Sequence, residues 1–255
     1  AGYSVQQTDD NGYIIAGETS SFGAGVDDIY VIKTSVKDND HVTKTYGGKE
    51  SDVGYSVQQT ADGGFIITGL TSSFGAGGFD VYLVKTDAQG ETLWTKSIGG
   101  KQSDAGRSVQ QTTDGGYIIT GFTDSFLKKE NFDVYLIKTD AAGDTMWTKT
   151  FGGTGSDVGY SVQQTTDGGY IIAGETNSFG DENFDVYLIK TDFNGKTLWT
   201  KTFGGKGIDV GRSVRQTADE GFIITGWTDS RWAGGVDVLL IKTDAKGNCR
   251  EPSDK

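Results

Sequence analysis

Proline, cysteine, histidine and methionine are almost missing from this chain, with one of each in 255 residues. The lone Cys249 excludes an internal disulfide. The lone histidine, His41, removes Ser-His-Asp and Cys-His nucleophile systems. It also leaves too few His and Cys ligands for a zinc site. No apolar run approaches the ~20 residues of a membrane-spanning helix, so no membrane partner is expected. No Gly-rich phosphate loop opens onto a helix pattern, and no cofactor is expected. Asp181-Glu182 and the loop at Asp27-Asp28 offer oxygens, but without a regular calcium-ligand spacing, so no metal is expected either. Basic residues are outnumbered, 23 Lys and Arg against 35 Asp and Glu. The net charge of −12 repels nucleic acid and fits a neutral or cationic partner. Any catalysis must rest on carboxylates, tyrosine and arginine.

Glycine is abundant, at 40 residues, and its positions recur in register. The segment Tyr3-Ser-Val-Gln-Gln-Thr8 returns at Tyr55, Arg107, Tyr160 and Arg212, at spacings of 52, 52, 53 and 52. Five repeats follow, at about 1–52, 53–104, 105–157, 158–209 and 210–255. Such self-similarity decides the architecture before any other feature. Each unit splits into four strand-like pieces. In the fourth copy these are Tyr160–Thr165, Tyr170–Gly174, Asp185–Thr191 and Thr197–Phe203. The turn Asp167-Gly168-Gly169 joins the first two, because glycine supplies the positive φ of a tight hairpin. The second strand is a near-continuous apolar run, so both of its faces must be covered. One four-stranded sheet cannot do that alone, and copies must stack face to face.

The repeat resembles the tandem ~50-residue propeller repeats of secreted bacterial and archaeal proteins. It is also similar in layout to tryptophan–aspartate propeller repeats. The resemblance spans Gly2 to about Gly247. It implies an all-β chain forming one closed five-bladed β-propeller domain, with four antiparallel strands per blade. It also implies a secreted or cell-surface protein; the chain opens in mid-repeat, as it would if a leader had been removed. The last copy has no obvious outermost strand. Asp237–Thr243 is therefore expected at an open edge, covered by the tail or by a second molecule.

Positions alike in every copy read as framework. They include Asp52, Asp104, Asp157 and Asp209 before the first strand, and Asp28, Asp80, Asp133, Asp185 and Asp237 opening the third. Trp94, Trp147 and Trp199 on the outer strand read as packing anchors. Positions that differ point to a site. The first strand carries Tyr3, Tyr55, Arg107, Tyr160 or Arg212, and the second ends on Glu18, Leu70, Phe122, Glu175 or Trp227. Two residues on come Ser20, Ser72, Asp124, Asn177 or Asp229. The changes go together: copies 1 and 4 pair Tyr with Glu, while copies 3 and 5 pair Arg with an aromatic and an Asp.

Alternation puts Glu18 on the strand face of Ile14 and Ala16, and Glu175 on that of Ile171 and Ala173. A carboxyl in such an apolar setting is pushed towards its neutral form. One neutral and one ionised carboxyl are what glycoside hydrolysis uses. The pattern therefore predicts a poly- or oligosaccharide partner, with Glu18 and Glu175 catalytic. Tyr3, Tyr55, Tyr160, Arg107, Arg212, Arg215, Trp227, Trp232, Asp124 and Asp229 are expected to hold the sugar. Two other readings stay open. The arginines pair with carboxylates, as Arg107–Glu175 and Arg212–Glu18 or as Arg107–Asp124 and Arg212–Asp229, and the rim is framework. Alternatively, the rim is a non-catalytic glycan- or protein-binding surface.

Overall fold

A computed structural model describes residues 1–35, 41–126, 131–181, 183–230 and 235–249. Glu182, Trp232 and the tail after Cys249 lie outside the described residues. Among those described, all regular structure is β, arranged as five antiparallel sheets in chain order. The first sheet holds β1 (Gly2–Gln7), β2 (Tyr13–Thr19), β3 (Asp28–Thr34) and β4 (His41–Tyr46). The second holds β5 (Asp52–Gln59), β6 (Phe65–Thr71), β7 (Asp80–Thr86) and β8 (Thr92–Ile98). The third holds β9 (Asp104–Gln111), β10 (Tyr117–Thr123), β11 (Asp133–Thr139) and β12 (Thr145–Phe151). The fourth holds β13 (Asp157–Gln164), β14 (Tyr170–Thr176), β15 (Asp185–Thr191) and β16 (Thr197–Phe203). The fifth has three strands, β17 (Asp209–Gln216), β18 (Phe222–Thr228) and β19 (Asp237–Thr243). The five sheets fit five blades. Among the described residues, the outer edge of β19 carries only an isolated bridge between Thr243 and Cys249.

In blades 2, 3 and 4 the two middle strands are buried almost along their whole length, as their unbroken apolar runs require. Every residue of β6 and of β7 is buried, whereas β8 alternates between exposed and half-buried positions. The chain divides by its contacts into two compact units. One is Ala1–Glu130 with Ile137–Trp147, the other Asn131–Leu136 with Thr148–Lys255. Each has its own core. In the first, Ile14, Ala16, Ile29 and Val31 of blade 1 meet Val57, Phe65, Ile67, Tyr82 and Val84 of blade 2. In the second, Ile171, Ala173, Val186 and Leu188 of blade 4 meet Val214, Phe222, Ile224 and Ile241 of blade 5.

Polar hooks lock these junctions. Ser4 Oγ accepts the Val57 N–H at 3.2 Å, and Gln6 Oε1 accepts the Gln59 N–H at 2.7 Å. In return, Gln59 Oε1 accepts the Asp9 N–H at 2.9 Å. The same bonds recur between blades 2 and 3 and between blades 4 and 5. Trp94 meets Tyr117 edge-on at 5.9 Å, and Trp199 meets Phe222 at 5.8 Å, so these tryptophans are anchors between neighbouring blades.

The repeated aspartates are framework. Asp52 Oδ2 accepts the Gly48 N–H at 2.7 Å and the Ser73 hydroxyl at 2.6 Å. Asp104 does the same with Gly100 and Ser125. Asp80 Oδ2 accepts the Ala76 N–H at 2.9 Å. Gly99 sits between two of these carboxylates. A Cβ there would lie 2.1 Å from Asp80 Oδ1 and 2.5 Å from Asp104 Oδ2, so only glycine fits.

Two faces lack the cover that their counterparts have. On blade 1, Val5 is 66% exposed and Tyr13 48%, while Val57, Val109, Val162 and Val214, and the aromatics Phe65, Tyr117, Tyr170 and Phe222, are buried. On blade 5, Val238 is 83% exposed and Leu240 63%, while Val81, Val134 and Val186, and Leu83, Leu136 and Leu188, are buried.

Candidate functional site: a bulged residue and its ladder

The first strand of each blade is β1, β5, β9, β13 or β17, and each slips register at one place. Gly2 pairs with Gly17 and Ser4 with Ala16, which leaves Tyr3 opposite nothing. Gly54 pairs with Gly69 and Ser56 with Thr68, which leaves out Tyr55. In the same way Arg107, Tyr160 and Arg212 are the extra residues of their strands. The five residues that vary between copies are thus five β-bulges. A bulge kinks its strand and re-aims a side chain, and such bulges gather beside functional sites. Periodicity alone did not reveal them. One signal was available in the sequence: the glycine that precedes each varying residue.

In the first unit the re-aimed side chains form a ladder. The Tyr3 hydroxyl donates to Glu18 Oε1 at 2.7 Å. The Tyr3 and Tyr55 rings lie 5.3 Å apart. The Arg107 guanidinium sits 4.0 Å from the centre of the Tyr55 ring and 5.6 Å from that of Phe122. Arg107 Nε is buried and has no hydrogen-bond partner among the described residues. The second unit carries a shorter version. The Tyr160 hydroxyl donates to Glu175 Oε1 at 2.8 Å, and Arg212 lies 3.9 Å from the Tyr160 ring centre. The linked changes between copies therefore have a physical basis. Phenol pairs with carboxylate within a blade, and guanidinium caps the phenol ring of the blade before it, a cation–π contact.

Bonding fixes the state of the first phenol. Tyr3 is pushed up to about 12, first by the bond it donates to Glu18, then by burial and by the negative charge of Glu18; Arg107 opposes this. Tyr3 thus stays a donor throughout the neutral range. Both glutamates are half-buried.

The remaining expected residues fall into different places. Asp124 Oδ1 accepts the Ser103 N–H at 2.6 Å, and Asp229 Oδ1 accepts the Ile208 N–H. Ser72 and Asn177 do the same for Ser51 and Ser156. This position is therefore a loop clamp that any oxygen acceptor fills, which is why Ser, Asn and Asp alternate there. Among the described residues neither Arg107–Asp124 nor Arg212–Asp229 forms an ion pair, because each carboxylate is turned to its loop and each guanidinium to a ring. Arg215 stands three residues along β17 from Arg212, about 10 Å away. It donates to Val214 O at 3.0 Å and is no part of the ladder. Trp227 is half-buried and pairs with Val210 across its sheet. Among the described residues, no three His, Cys, Asp or Glu side chains gather as a metal ion would require.

No protein-family model matches the chain. Regulatory protein FlaEY of Caulobacter vibrioides is 27% identical over 220 residues, which are 75% of this chain and 23% of that protein. The chain thus spans less than a quarter of that relative. Among solved structures, the WD40 domain of Neurospora crassa Pan2 aligns with 98% of this chain and 65% of its own, at 10% identity and a TM-score of 0.59. A Lactobacillus plantarum protein aligns with 95% of this chain and 68% of its own, at 13% identity and TM-score 0.56. A putative gluconolactonase aligns with 97% and 76%, at 11% identity and TM-score 0.51. At these identities the likenesses show the β-propeller fold and carry nothing about activity.

Proposed function

We propose that the chain binds a poly- or oligosaccharide at its two ladders, with Glu18 and Glu175 as the carboxylates that meet the sugar. The observation that carries this reading is the phenol–carboxylate bond at a bulged residue, 2.7 Å in one unit and 2.8 Å in the other. A carboxylate held by a tyrosine keeps lone pairs for sugar hydroxyls. A guanidinium beside it supplies donors, and the buried Arg107 Nε has no acceptor among the described residues. Tyr3, half exposed at the end of its ladder, offers a ring face to a pyranose. Tyr55 and Tyr160 act differently: their rings are capped by Arg107 and Arg212, so they align the guanidinium rather than stack on ligand. Placement outside the cell belongs to the same proposal, as does closure of the five blades into one ring.

Glycoside hydrolysis is the sharper form of this reading. One glutamate protonates the leaving oxygen, and the other activates water or attacks the sugar. A non-catalytic binding module is the second reading. The recurrence of the ladder favours it, since repeats supply equivalent subsites. The name of the Caulobacter relative, a regulatory protein, points the same way.

A glycan array followed by reducing-sugar release on the bound glycans tests all three. Binding is expected to weaken about tenfold in Glu18→Gln and in Glu175→Gln, since each loses a charged hydrogen bond worth about 1.5 kcal/mol. Sugar release abolished in both variants selects hydrolysis, and binding without release selects the module. A chain that binds no glycan, or variants that bind as the parent does, would refute the proposal.

A further inference from the structure

Tyr160, Glu175 and Arg212 all belong to the second unit, and the phenol stands between the two charged groups. Its hydroxyl donates to Glu175 Oε1 at 2.8 Å, and the Arg212 guanidinium lies 3.9 Å from its ring centre. These contacts bring carboxylate and guanidinium within about 10 Å of each other, close to the screening length at physiological salt, so the two attract. Among the described residues they nevertheless form no ion pair. The hydroxyl holds one group and the ring face holds the other. The copies keep to the same rule. Where the second strand ends on glutamate, in blades 1 and 4, the bulged residue is tyrosine; arginine takes the bulge only beside Phe122 or Trp227. An arginine in place of Tyr160 would reach the carboxylate that the hydroxyl now holds at 2.8 Å, and the two charges would cancel. The first unit is built differently. There the ring beside Tyr3 is that of Tyr55, 5.3 Å away, and the Arg107 guanidinium lies on Tyr55.

We infer that Tyr160 is a positioning residue that keeps Glu175 and Arg212 apart, so that together they take two adjacent hydroxyls of one neutral sugar ring. The inference rests on the sugar-binding reading and gives that site its ligand class. A carboxylate only accepts hydrogen bonds, and a guanidinium only donates them. A ligand that satisfies both must donate at one atom and accept at a nearby one, and neighbouring sugar hydroxyls do this. The carboxylate of a uronic acid suits Arg212 but is repelled by Glu175. The ammonium of an amino sugar suits Glu175 but is repelled by Arg212. A neutral ring meets neither repulsion.

Isothermal titration tests this with the neutral oligosaccharide that binds best on the array, its forms lacking one ring hydroxyl, and its uronic acid form. Loss of either hydroxyl of one adjacent pair is expected to weaken binding about tenfold, the loss of a bond to a charged group. That sensitivity falls below about threefold in Glu175→Gln, where the acceptor is neutral, and persists in Glu18→Gln. Tyr160→Phe keeps the ring, removes the hydroxyl and lets Arg212 close on Glu175, so binding falls about tenfold. Adding Arg212→Gln to Tyr160→Phe frees Glu175 again and recovers about threefold or more. A merely structural role for Tyr160 gives no such rescue, and the rescue itself excludes misfolding. Tyr160→Phe that binds as the parent does, losses that add in the double variant, or tighter binding of the uronic acid form overturns the inference and leaves sugar binding standing. A chain that binds only charged glycans does the same, whereas a chain that binds no glycan removes both.

Discussion

Asp104 and Asp62 are carboxylates of the same repeat with opposite tendencies. Asp104 is raised, first by burial and then by the nearby Asp124 charge, against the bonds from Ser125, Thr123 and Gly100. For Asp62 burial again leads and pushes upward, but Thr60, Lys85 and the Gly64 N–H outweigh it and hold it at about 2. The signs for stability follow. Asp62 contributes stability above the ordinary carboxylate range, and this is lost as pH falls towards about 2. Asp104 holds its proton more tightly folded than unfolded, so it costs stability as pH rises out of the carboxylate range. Asp104→Asn keeps an acceptor for Gly100 and Ser125 and removes the charge. Its urea-unfolding stability relative to the parent is expected to increase between about pH 4 and about pH 7. Glu220 is a second residue-scale test. It adopts φ +62°, where other copies have Gly63, Gly115 and Gly168 at +81°, +84° and +81°. A side chain in that region costs roughly 1 kcal/mol, so Glu220→Gly should raise unfolding stability by about that amount.

At the scale of the element, one hairpin clamp recurs in two settings. Lys138 Nζ meets Asp114 at 2.9 Å with its side chain 4% exposed, whereas Lys33 meets Asp10 at 2.7 Å with its side chain 23% exposed. The two ion pairs should therefore differ in worth. Asp114→Ala strands a buried ammonium and is expected to cost about 2 kcal/mol, below the roughly 3–5 of a fully enclosed pair because Asp114 itself faces water. Asp10→Ala should cost less than about 1 kcal/mol, and paired urea titrations would show the contrast. Strands, turns and order within each sheet were legible in the sequence, because long apolar runs between Gly-rich turns leave one arrangement. The bulges were not. Alternation assigns a face to every residue and has no place for an extra one, so Tyr3, Arg107 and the rest read as ordinary strand positions. Asp124 and Asp229 were misleading for a related reason. Comparison of copies detects change, but Ser, Asn and Asp all serve as acceptors in the same loop clamp.

For the whole molecule, repetition makes the all-β, propeller-type architecture readable in the amino-acid sequence alone. What covers the outer faces of the first and last blades is not readable there, because the same repeat pattern serves a face inside the array and a face at either end.

The bulged residue on each first strand also has a consequence for how such a chain can change. Because that position falls at a shift in the strand register, its side chain can be exchanged without rewriting the register around it. Together with the end of the neighbouring strand it forms a two-letter slot, filled here as Tyr with Glu, Tyr with Leu, or Arg with an aromatic. Transplanting the Tyr–Glu pair into blade 3 or blade 5 would move the phenol–carboxylate bond to another blade while the scaffold stays the same.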